Sequence, residues 1–444
     1  MIGEILSEEN RIKRIKDIMQ NGKTEEGYGL RIKVKGEMKA YPAYKIPLNC
    51  LIYNQYNGRI ASRVKTFEKE YRQLNAEKKE DMEIIEKYLW ESEETKNQAT
   101  MNDLIKNGQN VAGVVTIDGK IADGNRRASL LRKILKDYEN NPKKYQNKDI
   151  SKCEYFIAAI VDEKLTDKEM LELELNIQLA EEKVGYNSIE KYLKCDQLKN
   201  AGFSNQEICD MMKYDNEKAV ERDLGVKKLM DEFLEYIGYP GIYVRLDETE
   251  DPFLGLYDTI QKVNNGKLSK DYKWEPNNIT DINDLKIQAF NFIRADIGEE
   301  KQYRYITGAK KEAFFKNEKA WKNYLNTVKD SINLINDEEK TLDQYRIENP
   351  HSEVTELIKI RDEEWSKKVC GIIKKGIGTS RTIIEIEEEK NEPILLLSKA
   401  RNIIEAINLQ SNSLKTKEAG ELIKDISSRI WEMKKINEKG IKND

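Results

Sequence analysis

Val111-Ala112-Gly113-Val114-Val115-Thr116-Ile117-Asp118-Gly119-Lys120-Ile121-Ala122-Asp123-Gly124-Asn125-Arg126-Arg127-Ala128 reads as strand, tight turn, returning strand and helix start in one unbroken run. Val111 to Ile117 is rich in β-branched residues, Asp118-Gly119 has the composition of a two-residue hairpin turn, and Lys120 to Ala122 returns from it. Beyond it Ala128, Leu131, Ile134, Leu135 and Tyr138 recur at helical spacing, which predicts a helix from about Asn125. Asp123-Gly124-Asn125-Arg126-Arg127 then occupies the helix entrance, where unpaired N–H groups and the positive end of the dipole favour an anion. Gly124 lets the backbone come close, and Arg126 or Arg127 can hold phosphate oxygens in a fork. This is the layout of a phosphate site. Its plainer alternative is a Gly/Asn-initiated helix carrying two solvated arginines.

Working outward, the first twenty residues read as a helix. Alternation at Leu30-Arg31-Ile32-Lys33-Val34, a turn at Gly36 and a second strand near Met38 to Tyr41 then suggest an added hairpin. Tyr44 to Leu48 begins another extended segment, Ser62 to about Ser92 is a charged helical stretch, and Tyr155 to Val161 is an apolar strand. From Asp167 to Tyr236 the pattern is helical, and residues 238–280 are richer in Gly, Pro, Asn and Asp. Helical pattern resumes beyond Ile282, with Leu285 to Ile293, Trp321 to Ile335 and Ile404 to Met433 as helices and Ile383 to Glu388 as a short strand. The expected fold class is α+β: a small mixed-sheet domain followed by mostly α-helical domains. The expected divisions are 1–43, a helix and hairpin extension; 44–165, the sheet domain; 166–238, a helix-turn-helix-like domain; 239–280, a connecting region; and 281–444, a C-terminal helical domain.

Composition narrows the classes. With 35% charged residues, 39% hydrophobic residues and 8 prolines in 444, the chain suits a helix-rich protein of roughly two to four domains. A net charge of −4 gives no global attraction to nucleic acid, so DNA binding needs a local basic patch. No apolar run is long enough for a membrane span and the first residues lack a signal-peptide pattern, so a cytoplasmic protein is expected. Cys50, Cys153, Cys195, Cys209 and Cys370 are scattered, which suits reduced and mostly buried thiols. His351 is the only histidine, which nearly excludes zinc-finger ligand sets and Ser-His-Asp or Cys-His catalysis.

Ser204-Asn205-Gln206-Glu207 is a capping box, Ile208, Met211 and Met212 give an apolar face, and Tyr214-Asp215-Asn216 makes a turn before Val220 and Leu224. This is helix-turn-helix spacing, with Asn216, Lys218 and Arg222 as candidate DNA contacts. Glu217, Glu221 and Asp223 on the same helix would oppose phosphate. A helical packing module that does not touch DNA is the alternative.

Across residues 44–236 the chain resembles the ParB/sulfiredoxin superfamily, in its ParB-type arrangement of a nucleotide-binding domain followed by a helix-turn-helix. Ile46-Pro47-Leu48 and Asn54-Gln55-Tyr56-Asn57-Gly58-Arg59 are similar to the family's opening "I-P-L" and "N-P-x-Q-P-R", with both of the latter's prolines missing. Leu104 to Gln109 is similar to its "S-I-x-x-x-G" helix end, and Gly124-Asn125-Arg126-Arg127 to its G-E-R-R box with Asn125 in place of Glu. Gly202-Phe203-Ser204 and Val220 to Leu224 resemble the pattern "G-x-S-x-x-E-I-A … V-x-x-x-L", with Lys213 replacing the usual turn glycine. Asp123 to Arg127 is also similar to the D-G-Q-H-R and D-G-Q-Q-R boxes of bacterial DNA-modification and phage-defence proteins.

The resemblance implies a site for a nucleotide or DNA phosphate at Asp123, Gly124, Asn125, Arg126 and Arg127, with Asn57 and Arg59 from the opening segment. It implies a nucleoside triphosphate with Mg²⁺ as cofactor and DNA as partner, in plasmid partition or phage defence. The family's second box, E-N-x-x-R, falls on Leu175-Asn176-Ile177-Gln178-Leu179, so both of its charged positions are leucines and Glu174 lies one residue off. This pattern favours holding phosphate over cleaving it. A sulfiredoxin-type reaction lacks its cysteine, since Asn125 stands there. Two further readings stay open. One is a Mg²⁺-dependent nuclease or nucleoside triphosphatase using Asp123 with Glu174 as metal ligand; the other is a non-catalytic scaffold. A homodimer or protein partner would use the C-terminal helices, although they show no sustained heptad seam.

Overall fold

The computed structural model describes residues 4–25, 27–180, 188–247, 249–298, 301–307, 313–390 and 392–441. The fold is α+β and mostly helical. Helix α1 (Glu8–Asn21) buries Ile15 and Arg11. Strands β1 (Leu30–Val34) and β2 (Glu37–Tyr41) form the expected hairpin, with Val34 opposite Glu37. Lys35 (φ 48°) and Gly36 (φ 82°) are both left-handed, the turn geometry whose twist matches paired strands.

A four-stranded sheet forms the centre of the N-terminal part. It is built from β3 (Ala43–Pro47), β4 (Gly113–Thr116), β5 (Ile121–Asp123) and β6 (Tyr155–Val161), in the order β3-β6-β4-β5. Only the β4–β6 pair is parallel. Both faces are covered, which explains the unbroken apolar runs. Val115, Ile121, Ala158 and Ile160 enter one core, whereas Val114, Ala122, Ala159 and Val161 enter another with Ile32, Val34 and Tyr41. Helix α2 is Ala61–Glu70, α3 Lys79–Glu91, α4 Glu94–Asn107 and α5 Asn125–Asn140. Residues 62–92 thus hold two helices, not one stretch. Buried Asp81 accepts hydrogen bonds from Arg72 and from the Asn75 amide (2.8 Å), which organises the break before α3.

Helix α6 (Asp167–Ala180) serves two cores: Leu173 and Ile177 pack on the sheet, and Leu171 and Leu175 pack among helices. Those helices are α7 (Ser188–Asn200), α8 (Asn205–Met212) and α9 (Glu217–Tyr236). The Ser204/Glu207 capping box forms as read. Lys213 ends α8 in the left-handed region at φ 53°, taking the conformation a glycine would adopt more cheaply. Helix α10 (Glu250–Asn264) lies inside the segment expected to be a connector. Its apolar positions Phe253, Leu256, Ile260 and Val263 follow helical spacing, so the flanking Gly/Pro-rich turns masked it.

Next come α11 (Thr280–Arg294), α12 (Arg304–Thr307), α13 (Glu318–Asp337), α14 (Leu342–Glu348), α15 (Val354–Glu389), α16 (Pro393–Glu405) and α17 (Lys417–Ile441). Ile383 to Glu388, expected as a strand, continues α15, because β-branching costs only tenths of a kcal/mol per helical residue. The helix expected over 404–433 is instead divided between α16 and α17. The chain forms two compact units, 1–377 and 378–444. Along α16 and the described side chains of α17 no residue is buried. No described helix is long and apolar enough to cross a membrane. The five cysteines are free, four of them buried. Burial pushes the Cys153 thiol up to about 11 and the Cys195 thiol up to about 12, as inert core thiols require.

Candidate phosphate site

The entrance to α5 is held rigidly from both sides. Gly119 (φ 84°) closes the β4–β5 turn against the Cys50 carbonyl, where a Cβ would fall 2.1 Å from the oxygen. Gly124, at φ 104° and ψ 15°, swings the chain from β5 into α5, and a Cβ there would come within 2.5 Å of the Phe156 ring. Glycine is demanded twice over at 124, by backbone conformation and by space. No side chain caps α5 and no acid lies in its first turn. The N–H groups at the start of that turn therefore have no intrahelical partner. They border a cavity of about 360 Å³ whose walls include Asn57, Arg59, Asp103, Asp123 and the Gly124–Arg127 turn. All seven residues read from the sequence as a phosphate set meet there.

Each does a different job. Asn125 is buried, donating to the Asn54 carbonyl (2.7 Å) and accepting from the Asn54 amide (3.2 Å). Its side chain thus staples the opening segment to α5 and is spent on that task. Asn57 accepts from the Arg59 amide at 3.2 Å, shaping the turn that presents Arg59. Arg127 donates to Asp123 (2.6 Å) and to the Val111 carbonyl. Arg126 donates to Asn97 and, at 2.8 Å, to Glu93. Arg59 reaches the same Glu93 oxygen at 3.4 Å.

Glu93 is the residue sequence reading missed. It sits between two guanidiniums and also takes Lys96 at 2.5 Å. The Lys96 hydrogen bond, with Arg126 and Arg59 nearby, holds its carboxyl below the usual range. Partial burial, followed by the neighbouring Arg59 charge, pulls the Arg126 pKa down, against the opposing pull of Glu93. Arg126 Nη2 is buried with no hydrogen-bond partner among the described residues. Nothing in Glu91-Ser92-Glu93-Glu94 distinguishes Glu93 from neighbouring surface acids. Asn97, which presents its oxygen to Arg126, is fixed by donating to the Leu89 (2.9 Å) and Trp90 (2.6 Å) carbonyls.

Glu174 does not join this cavity. Its carboxylate pairs with Lys194 at 2.8 Å, both side chains almost fully buried, and accepts weakly from Asn54 at 3.4 Å. The α6 register explains this placement: Leu175 points into the helical core, so its neighbour is carried inward against α7. Leu179 of the second box lies outside the residues whose side chains are described. Among the described residues no group of three His, Cys, Asp or Glu side chains is placed to hold a metal ion. Asp123 and Glu174, the metal pair expected from sequence, pair instead with Arg127 and Lys194.

The candidate DNA contacts also have structural duties. Asn216 caps α9 by accepting from the Lys218 amide at 3.0 Å. Arg222 forks onto Asp258 of α10 at 3.2 and 3.0 Å. Gly225 meets the Tyr257 ring so closely that a Cβ would sit 2.1 Å from it, so α10 covers part of α9. Asp223, expected to repel phosphate, is buried and pairs with Lys191 (3.0 Å) and the Tyr214 hydroxyl. The exposed start of α9 presents Lys218 between Glu217 and Glu221. Such a face offers little attraction to a phosphate backbone.

Comparison of the chain with protein-family models, curated proteins and solved structures gives no match.

Proposed function

We propose that this chain is a ParB-like, DNA-associated protein that binds a nucleotide phosphate, or a DNA phosphate, at Asp123–Arg127 and Arg59. The observation carrying this reading is the start of α5: a 16-residue helix without a side-chain cap or first-turn acid, opening onto a cavity bordered by three arginines. Backbone amides with forked guanidiniums are the donor set that recognises phosphate. A cavity of about 360 Å³ admits a phosphate chain and not a duplex, which favours the nucleotide. By the resemblance, plasmid maintenance or phage defence is its proposed setting. The proposed activity is binding. Asp123 and Glu174, the acids read from the sequence as a metal pair, are engaged by Arg127 and Lys194.

A thermal-shift panel with CTP, ATP, GTP and ADP tests this, since a ligand of the folded state raises its stability by mass action. At least one nucleotide should raise the unfolding midpoint. Arg126→Ala with Arg127→Ala should weaken that nucleotide about tenfold or more. Unchanged nucleotide affinity together with unchanged plasmid retention on filters at low salt would overturn the reading.

A further inference from the structure

A second arginine cluster lies in the helical part of the first unit, assembled from residues far apart in sequence. Arg294 donates from Nε to Asp362 (2.9 Å) and from both terminal nitrogens to Glu339. Arg361 donates to Glu339 (2.8 Å) and to the Ile237 (2.6 Å) and Lys340 (2.8 Å) carbonyls. Arg245 donates from Nε to Asp362 at 2.6 Å, and the Tyr239 hydroxyl donates to the same carboxylate at 3.0 Å. Three guanidiniums thus share two carboxylates, with side-chain exposures from 3% at Arg294 to 16% at Arg245. The three guanidiniums carry one positive charge more than the two carboxylates balance, and Arg245 is the most exposed of them.

The surplus has a direction. Every nitrogen of Arg294 and Arg361 is bonded, whereas the two terminal nitrogens of Arg245 take no acceptor among the described residues. Arg245 forms the wall of a cavity of about 780 Å³, within the size range of small-molecule sites. Lys359 and Lys367, both exposed on α15, stand on its rim, and neither has an acidic partner among the described residues. Val244, Ile358 and Cys370 give it apolar wall. Asp296 and Glu363 also line it, and the Asp296 carboxylate accepts from the Gly298 amide (2.8 Å). The four cations of the lining still exceed its three acids.

We propose that this cavity is a second ligand site, for a small organic oxyanion: a carboxylate or phosphate monoester with an apolar body. The head group receives the fork of Arg245, Lys359 and Lys367 neutralise it at the rim, and the body lies on Val244 and Ile358. The site is independent of the Asp123–Arg127 box and shares no residue with it.

The test uses the full chain carrying Arg126→Ala and Arg127→Ala, so that the box does not contribute. Phenyl phosphate, benzoate and inorganic phosphate are titrated by calorimetry and thermal shift. Phenyl phosphate or benzoate should give a saturable rise in the unfolding midpoint, with inorganic phosphate weaker because it lacks the apolar body. Arg245→Met should weaken binding about tenfold or more, and Lys359→Glu with Lys367→Glu, both at exposed positions, by a similar factor. No saturable response to any probe at millimolar concentrations would overturn the proposal. If Arg245→Met does not fold, the lysine reversal alone is read, and unchanged affinity in that variant overturns it as well.

Discussion

The chain builds two clusters in each of which three arginines share two carboxylates, and the two differ in burial. At the start of α5, Arg59, Arg126 and Arg127 share Glu93 and Asp123, and the guanidiniums are 18–35% exposed. In the helical part, Arg245, Arg294 and Arg361 share Glu339 and Asp362 at 3–16% exposure. The difference is what the charges are worth to the fold. In the first, Arg59 and Glu93 are each about a third exposed, so their ion pair is weak and can be exchanged for a ligand. In the second, each bond replaces lost hydration, and breaking one leaves an uncompensated charge inside.

The strongest way to break this comparison is Arg294→Met. It leaves Glu339 and Asp362 underpaired in a dry cluster and should cost about 3–5 kcal/mol in urea unfolding, while Arg59→Met in the exposed cluster should cost under about 1 kcal/mol. Similar costs would mean that burial does not separate the clusters. A buried carboxylate outside both sharpens the point. Glu190 accepts from the Ser62 amide (3.0 Å) and hydroxyl (2.6 Å), and burial raises its pKa from 4.5 to about 7, against the lowering effect of those bonds. Because its folded pKa lies above its unfolded one, the folded state binds the extra proton. Stability contributed by this group is present below pH 4.5, falls between about 4.5 and 7, and stays lost above. The loss should reach up to about 3 kcal/mol, and Glu190→Gln should flatten that slope in denaturant titrations at several pH values.

Gly124→Ala asks whether the box is as rigid as its neighbourhood suggests. A left-handed alanine pressed against Phe156 should cost about 2 kcal/mol by chemical unfolding. A neutral outcome would show that the α5 entrance can reshape. The smallest expected effect is at Glu93. Its carboxylate lies against Arg59 and Arg126 as a ligand's oxygens would, so Glu93→Gln should tighten nucleotide binding about threefold to tenfold by calorimetry. Weaker binding in that variant would make Glu93 a support of the site and not its internal competitor.

The sequence discloses the exposed cluster far better than the buried one, and the reason is chain distance. Gly124 to Arg127 form one contiguous run after a hairpin, so local periodicity alone places them at a helix start. Tyr155 to Val161 is equally legible, because a strand covered on both faces reads as an apolar run. Glu93 and Asn97 enter the site from α4, with no local mark separating them from the other acids and amides of that charged stretch. Arg245, Arg294, Glu339 and Asp362 come from four separate places, and only tertiary packing joins them. Asp223 and Glu174 fail for a related reason. A charged residue on an amphipathic helix reads as solvated, yet each is inside because a partner, Lys191 or Lys194, arrives on another helix.

Helix α6 sends Leu173 and Ile177 one way and Leu171 and Leu175 the other, and its Glu174 is tied to α7 and, through Asn54, to the Asn125 staple. Two segments that read as separate domains therefore share one wall, and that wall cannot melt for one without exposing the core of the other. Their unfolding should be a single cooperative event. The slowest-exchanging amides should include those of the middle of α6, at the seam between the two segments.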